Sequence, residues 1–149
     1  MKQKTVIQVW GKAGSGKTTT IKIIREELEK KYLNVSHTYS LPLPKGEHFE
    51  IFNCNGFVIG VSSMGDDLTP FLKGHLDNCF AQCSLIIAAS RVYNNVDTYL
   101  RDTAADNNFR IVKATNYKIK TTRNIQDQFS QESAIHIVDL IDKIFNGLI

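Results

Sequence analysis

The sequence predicts an α/β fold, a three-layer sandwich built around a mostly parallel central sheet. Three observations carry that prediction. Short apolar runs alternate along the chain with stretches of helical periodicity. Two of those runs, residues 57–61 and 85–89, are apolar throughout, as strands covered on both faces are. A strand-like run at 5–10 passes through a glycine-rich turn straight into a helical stretch.

The elements follow in order. The first helix spans about residues 17–32, with Ile21, Ile24, Leu28 and Tyr32 as its apolar stripe. Residues 34–40 read as a second strand, and 41–46, with two prolines and a glycine, as a loop. A β-hairpin is expected near residues 48–62, because Asn55-Gly56 separates two strand-like runs. Thr69 and Pro70 mark a helix start as cap and first-turn residue. Its inner face is Leu68, Leu72, Leu76, Cys79 and Phe80. Asn94 or Asn95 caps a further helix reaching about residue 107, with Val96, Tyr99, Leu100 and Thr103 inward. Residues 109–114 are the last strand. The stretch 117–128 is polar and basic without clear period, so the final helix is placed after Ser130, with Ala134, Val138, Ile141, Phe145 and Leu148 as one stripe.

A chain of 149 residues is expected to form one domain, residues 1–149. At this size roughly 68–70% of the unfolded surface can be buried, so no disulfide staple is needed. Three cysteines, Cys54, Cys79 and Cys83, are too few for a disulfide framework and lack metal spacing; they read as small core residues. His37, His48, His75 and His136 are dispersed and read as surface or partly buried residues. A formal charge of +3 suits a protein that handles phosphates without requiring nucleic acid. No apolar run approaches a membrane span, and the N-terminal run is too short for a signal peptide, so a cytoplasmic setting is expected.

Residues 11–18, Gly-Lys-Ala-Gly-Ser-Gly-Lys-Thr, match G-x-x-x-x-G-K-[ST] at every fixed position. The strand before and the helix after supply the setting that makes such a loop work. Its glycines let successive N–H groups converge on one point, and the helix adds its positive N-terminal end. Over about the first 30 residues the chain resembles the P-loop NTPase superfamily. The resemblance implies ATP or a similar nucleoside triphosphate bound with Mg²⁺. Gly11, Lys12, Ala13, Gly14, Ser15, Gly16, Lys17, Thr18 and Thr19 would hold it. Lys17 would reach the β- and γ-phosphates from a solvent-facing position, and Thr18 would offer its hydroxyl to the metal.

In open parallel sheets ligands sit beyond the carboxyl ends of the strands. The residues after the 57–61 strand, Ser62-Ser63-Met64-Gly65-Asp66-Asp67, are therefore the second candidate segment. Relatives with D-x-x-G here hold a magnesium-bound water through the aspartate. Serine replaces it in this chain, which leaves Ser62 or Asp66 as the metal-side residue and Gly65 as a γ-phosphate contact. Arg91, just after the 85–89 strand, is the third candidate, a cation for the transferring phosphate. Lys118, Lys120 and Arg123 form a basic stretch read chiefly as a solvated loop. An N-K-x-D guanine motif is lacking, since Thr115-Asn116-Tyr117-Lys118 does not match it, which favours ATP.

Three functions fit these residues. One is a small kinase-like transferase moving the γ-phosphate of Mg-ATP to a small-molecule or nucleotide acceptor, with Lys17, Asp66 and Arg91 as the catalytic residues. A second is an NTPase or nucleotide-dependent switch. The third is a slowly turning regulatory module.

Overall fold

The structure, a computed structural model, describes residues 1–117 and 122–149. Lys118 and Lys120 of the basic stretch lie outside the described residues. The elements run β1 (Thr5–Trp10), α1 (Lys17–Lys31), β2 (Val35–Pro42), a short 3-10 turn (Pro44–Gly46), β3 (His48–Cys54) and β4 (Phe57–Ser62). There follow α2 (Pro70–Gln82), β5 (Leu85–Ser90), α3 (Asn95–Asp106), β6 (Arg110–Thr115) and α4 (Arg123–Phe145).

The six strands form one sheet in the order β2-β3-β4-β5-β1-β6. β4, β5, β1 and β6 run parallel, and β2 and β3 are added antiparallel at one edge. This is the expected α/β sandwich. β5 lies directly beside β1, with Trp10 opposite Ser90, so both strands open onto the same end of the sheet.

Alternating strand residues feed two cores. Ile7, Val9, Ile59, Val61, Leu85 and Ile87 pack under α1 and α4 with Ile21, Ile24, Leu28, Ala134 and Ile141. Val6, Phe49, Ile51 and Ile86 pack under α2 and α3 with Leu72, Leu76, Cys79, Phe80 and Leu100. Cys54 belongs to the first core, Cys79 and Cys83 to the second, and all three thiols are free and buried.

Local chemistry fixes the boundaries. Thr69 caps α2 by accepting a 3.1 Å bond from the Leu72 N–H. Asn94, rather than Asn95, caps α3, accepting from the Asp97 N–H at 2.9 Å. Asn55 and Gly56 turn the hairpin with φ of 53° and 82°, the left-handed pair that a two-residue loop requires.

Four expectations are corrected. α4 begins at Arg123, about two turns before the expected start after Ser130. Its first half hides its inward face because Ser130 and Ser133, both buried, stand where apolar residues would announce it. Leu148 lies beyond the helix and is exposed. β2 continues to Pro42, tolerated because β2 is the sheet edge. His75 is buried, not a surface residue. Its Nε2–H donates to the Val61 carbonyl at 2.8 Å, its Nδ1 meets the Tyr39 hydroxyl, and its ring stacks on Phe49 at 4.2 Å.

That environment holds His75 neutral. Burial lowers its pKa to about 4; the Val61 bond opposes the shift and the charge of His48 adds to it. The unfolded ring titrates near pH 6.5. Stability contributed by neutral His75 is therefore complete above about pH 6.5 and is lost as pH falls toward 4. The loss should be on the order of 3 kcal/mol. Denaturant unfolding at pH 7 and pH 4.5 should show it, and His75→Gln should flatten the difference.

Candidate functional site

The loop between β1 and α1 is shaped by its glycines. Gly14 and Gly16 have φ of 69° and 79°. Gly16 is also crowded: a Cβ there would meet Ser130 Oγ at 2.8 Å and Asn116 Nδ2 at 3.0 Å. Only glycine satisfies both conditions. Gly16 precedes α1 with no side-chain cap, and no acidic residue stands in the first turn, so Lys17, Thr18 and Thr19 open the helix toward the loop.

Lys17 is 7% exposed, not solvent-facing. Its Nζ donates to the carbonyls of Gly11 and Lys12, each at 2.9 Å, and lies 3.5 Å from Ser15 Oγ. Those two bonds tie the ammonium to the backbone of the loop. The side chain therefore holds the loop in shape while its charge stays at the loop's centre. Lys12, Ala13 and Gly14 are exposed at the tip, and Ser15 is buried beneath it.

Asn116, which the sequence reading weighed only against the guanine motif, has a place in the site. It follows β6, next to β1, and its Nδ2 donates to the Ser15 carbonyl at 2.6 Å. Its Oδ1 accepts from Thr20 Oγ1 at 2.5 Å. Loop, helix and β6 are thus tied by one amide. The strand-end position was the only signal that could have found it.

Behind the loop lies a buried polar network. Gln8, wholly buried in β1, donates through Nε2 to Ser90 Oγ at 2.6 Å and to Asp97 Oδ1 at 2.7 Å. Asp97 also pairs with Lys113, Nζ to Oδ1 at 3.1 Å, and with Arg101, Nε to Oδ2 at 3.3 Å. Burial works against the Asp97 charge, but the bonds from Gln8 and Lys113 and the charges of Lys113 and Arg101 prevail and keep its pKa low. This fixes the end of β5, where Arg91 leaves the sheet.

The segment after β4 packs on that same end. A Cβ on Gly65 would come within 2.6 Å of the Ala89 carbonyl carbon and oxygen, so the backbone approaches β5 as closely as glycine allows. The Gly65 carbonyl accepts from the Arg91 N–H at 3.1 Å and from Asn94 Nδ2 at 2.8 Å. Arg91 Nε donates to Asp66 Oδ1 at 2.8 Å, in an exposed ion pair. Two of the three candidate segments are thus brought together. Ser62 is fully buried, its hydroxyl turned toward its own Met64 carbonyl at 3.5 Å.

Thr18 and Asp66 line different cavities. Thr18, Thr19, Lys22, Arg123 and Asp127 border one of about 370 Å³. Gly65, Asp66, Asp67 and Glu47 border another of about 460 Å³. Lys45, in the turn before β3, borders both. A third cavity, about 550 Å³, lies between α1 and the β2–β3 edge, where Arg25 makes a two-point ion pair with buried Glu50.

The KAP family P-loop domain matches residues 1–144. The chain belongs to that family. It is a nucleotide-binding P-loop domain of the NTPase kind, which accords with the loop geometry above. Neither a curated protein nor a solved structure matches it. Among the described residues, no helix of this KAP domain is long and apolar enough to cross a membrane.

Lys17→Ala should remove most triphosphate affinity, measured by calorimetry. Because Lys17 also ties two loop carbonyls, the variant should melt a few degrees lower yet keep its fold by circular dichroism. Unchanged affinity would place the triphosphate elsewhere.

Proposed function

We propose that this KAP domain binds Mg-ATP at residues 11–19 and passes the γ-phosphate to a small hydroxylated or nucleotide acceptor. The observation that carries the reading is the loop held around Lys17 beside a cavity of about 370 Å³ bordered by Thr18 and Thr19, with Lys45 shared between that cavity and the one that Asp66 borders. The Asp66 cavity is bordered by the partner of Arg91, and the cavity between α1 and the β2–β3 edge, of about 550 Å³, has the size of a small-molecule site. ATP is favoured over GTP because Asn116, at the end of β6, is not followed by the Lys-x-Asp of a guanine-reading motif, and its amide bonds Ser15 and Thr20. Three free buried thiols suit a cytoplasmic setting.

Magnesium fits the residues present. Among the described residues no cluster of His, Cys, Asp or Glu could cage a metal alone. An ion here would rest on the triphosphate, with Thr18 at the first turn of α1 and Asp66, in the cavity that shares Lys45 with that of Thr18, toward its water shell; Ser62 is fully buried and turned to the Met64 carbonyl. It would supply charge neutralisation between the β- and γ-phosphates. The chain's own part is to hold the phosphates with loop N–H groups and Lys17, and to steady the moving phosphoryl group with Arg91. Arg91 would exchange Asp66 for phosphate oxygens, two anions of similar geometry.

The acceptor reading is tested by incubating the protein with labelled ATP and a panel of nucleosides, nucleotides and polyols. Label transfer to one compound supports it; phosphate release alone, whatever is added, makes the domain a hydrolase. Arg91→Lys keeps charge but loses the fork, so it should slow turnover about 10-fold, and Arg91→Ala more, with ATP affinity little changed. Asp66→Asn should slow turnover far more than it weakens binding. The two substitutions should not be additive, since each removes the other's partner. Normal rates in every variant would make both residues structural.

A further inference from the structure

The strand order puts a carboxylate at the ligand end that no position after a parallel strand could reveal. β3 runs antiparallel to β4, so its first residue, His48, lies near the carboxyl end of β4. Ser63 fixes the junction: its Oγ accepts from the His48 N–H at 2.8 Å, and its N–H donates to the His48 carbonyl at 3.2 Å. The residue before His48 is Glu47. It is delivered to the site from the wrong end of a strand.

Glu47 is held by its backbone and free at its tip. Its carbonyl accepts from the Leu43 N–H at 2.6 Å, and its N–H donates to the Pro44 carbonyl at 3.4 Å, across a turn with Lys45 and Gly46 in left-handed conformation. Among the described residues no donor bonds its carboxyl group. Glu47 borders both the 550 Å³ cavity and the cavity holding Asp66, and so stands where the two approach each other. Partial burial raises its pKa and repulsion from Asp66 adds to this, while Lys45 and Lys17 pull it back. Its carboxyl group thus feels charges from the loop lysine and from the segment after β4. That segment offers serines, Ser62 and Ser63, both buried and turned inward.

We propose that Glu47 is the general base of this domain, taking the proton from the hydroxyl or water that attacks the γ-phosphorus. This rests on the phosphoryl-transfer reading above. As the nucleophile's oxygen bonds to phosphorus, its proton passes to a Glu47 carboxylate oxygen. The bond from phosphorus to the bridging oxygen breaks, and its electron pair leaves with ADP. With water in the cavity the product is inorganic phosphate; with an alcohol it is a phosphate monoester.

The test uses the purified full chain, Mg-ATP and water as the nucleophile. Phosphate release gives kcat, and a fluorescent ATP analogue gives Kd. Glu47→Gln keeps the turn's backbone bonds and the side-chain shape. It should lower kcat at least 100-fold. Removing a negative charge from beside the triphosphate should leave Kd equal or smaller. Glu47→Asp, with a shorter reach, should fall between. Opposite movement of kcat and affinity is what a merely structural role would not produce. If Glu47→Gln turns over at the parent rate, or loses affinity and rate together, the proposal is wrong while the transfer reading stands. A parent that binds Mg-ATP but releases no phosphate overturns the proposal as framed for water. A parent that does not bind ATP overturns the function itself.

Discussion

The site depends on a loop that its own side chains hold closed. A run of backbone N–H groups can serve an anion only if the chain carrying them is held against its own tendency to open. Here the ammonium of Lys17 grips the carbonyls of Gly11 and Lys12 from inside, and the amide of Asn116 grips Ser15 from outside. Carbonyls turned toward cations leave the N–H groups to face the other way. The left-handed glycines make that division possible.

The surroundings are fixed by buried polarity more than by apolar packing. Gln8 sits within an inner strand of a hydrophobic sheet, where an amide without partners would be costly. Its bonds to Ser90 and Asp97 join β1, β5 and α3. Lys113 brings β6 into the same network and rests its ammonium 4.5 Å from the centre of the Trp10 ring. A polar cluster of this kind tolerates little sliding between strands, because its bonds are directional where apolar contacts are not. The ends of β5 and β1 are thereby held in register for the loops they launch.

Much of the fold could be read from the chain because period and punctuation agree there. The two all-apolar runs became central strands, Asn55-Gly56 became the hairpin turn, and Thr69-Pro70 became a capped helix start. The reading failed where side chains conceal their role. Ser130 and Ser133 are small enough to be buried against the loop, so the first half of α4 carries no apolar stripe. The burial of His75, read as surface or partly buried, was missed because nothing local says that Tyr39, Phe49 and Val61 will enclose it. In the site, the phosphate loop was legible as a motif and Arg91 and Asp66 as strand-end residues. The burial of Lys17 was not legible, since its partners are backbone carbonyls, which every residue has. Glu47 was missed for a topological reason: looking only after strands assumes they all run one way.

The three thiols give the molecule an internal gauge. Cys54 lies in the core under α1 and α4, while Cys79 and Cys83 lie in the core under α2 and α3. None is exposed, so a thiol reagent can act only on molecules that have opened. The rate at which each is labelled therefore reports how often its own side of the sheet comes apart. Comparison of the two sides, with and without nucleotide, would separate tightening of the layer that carries α1 from tightening of the whole. The native chain can answer this without an introduced label.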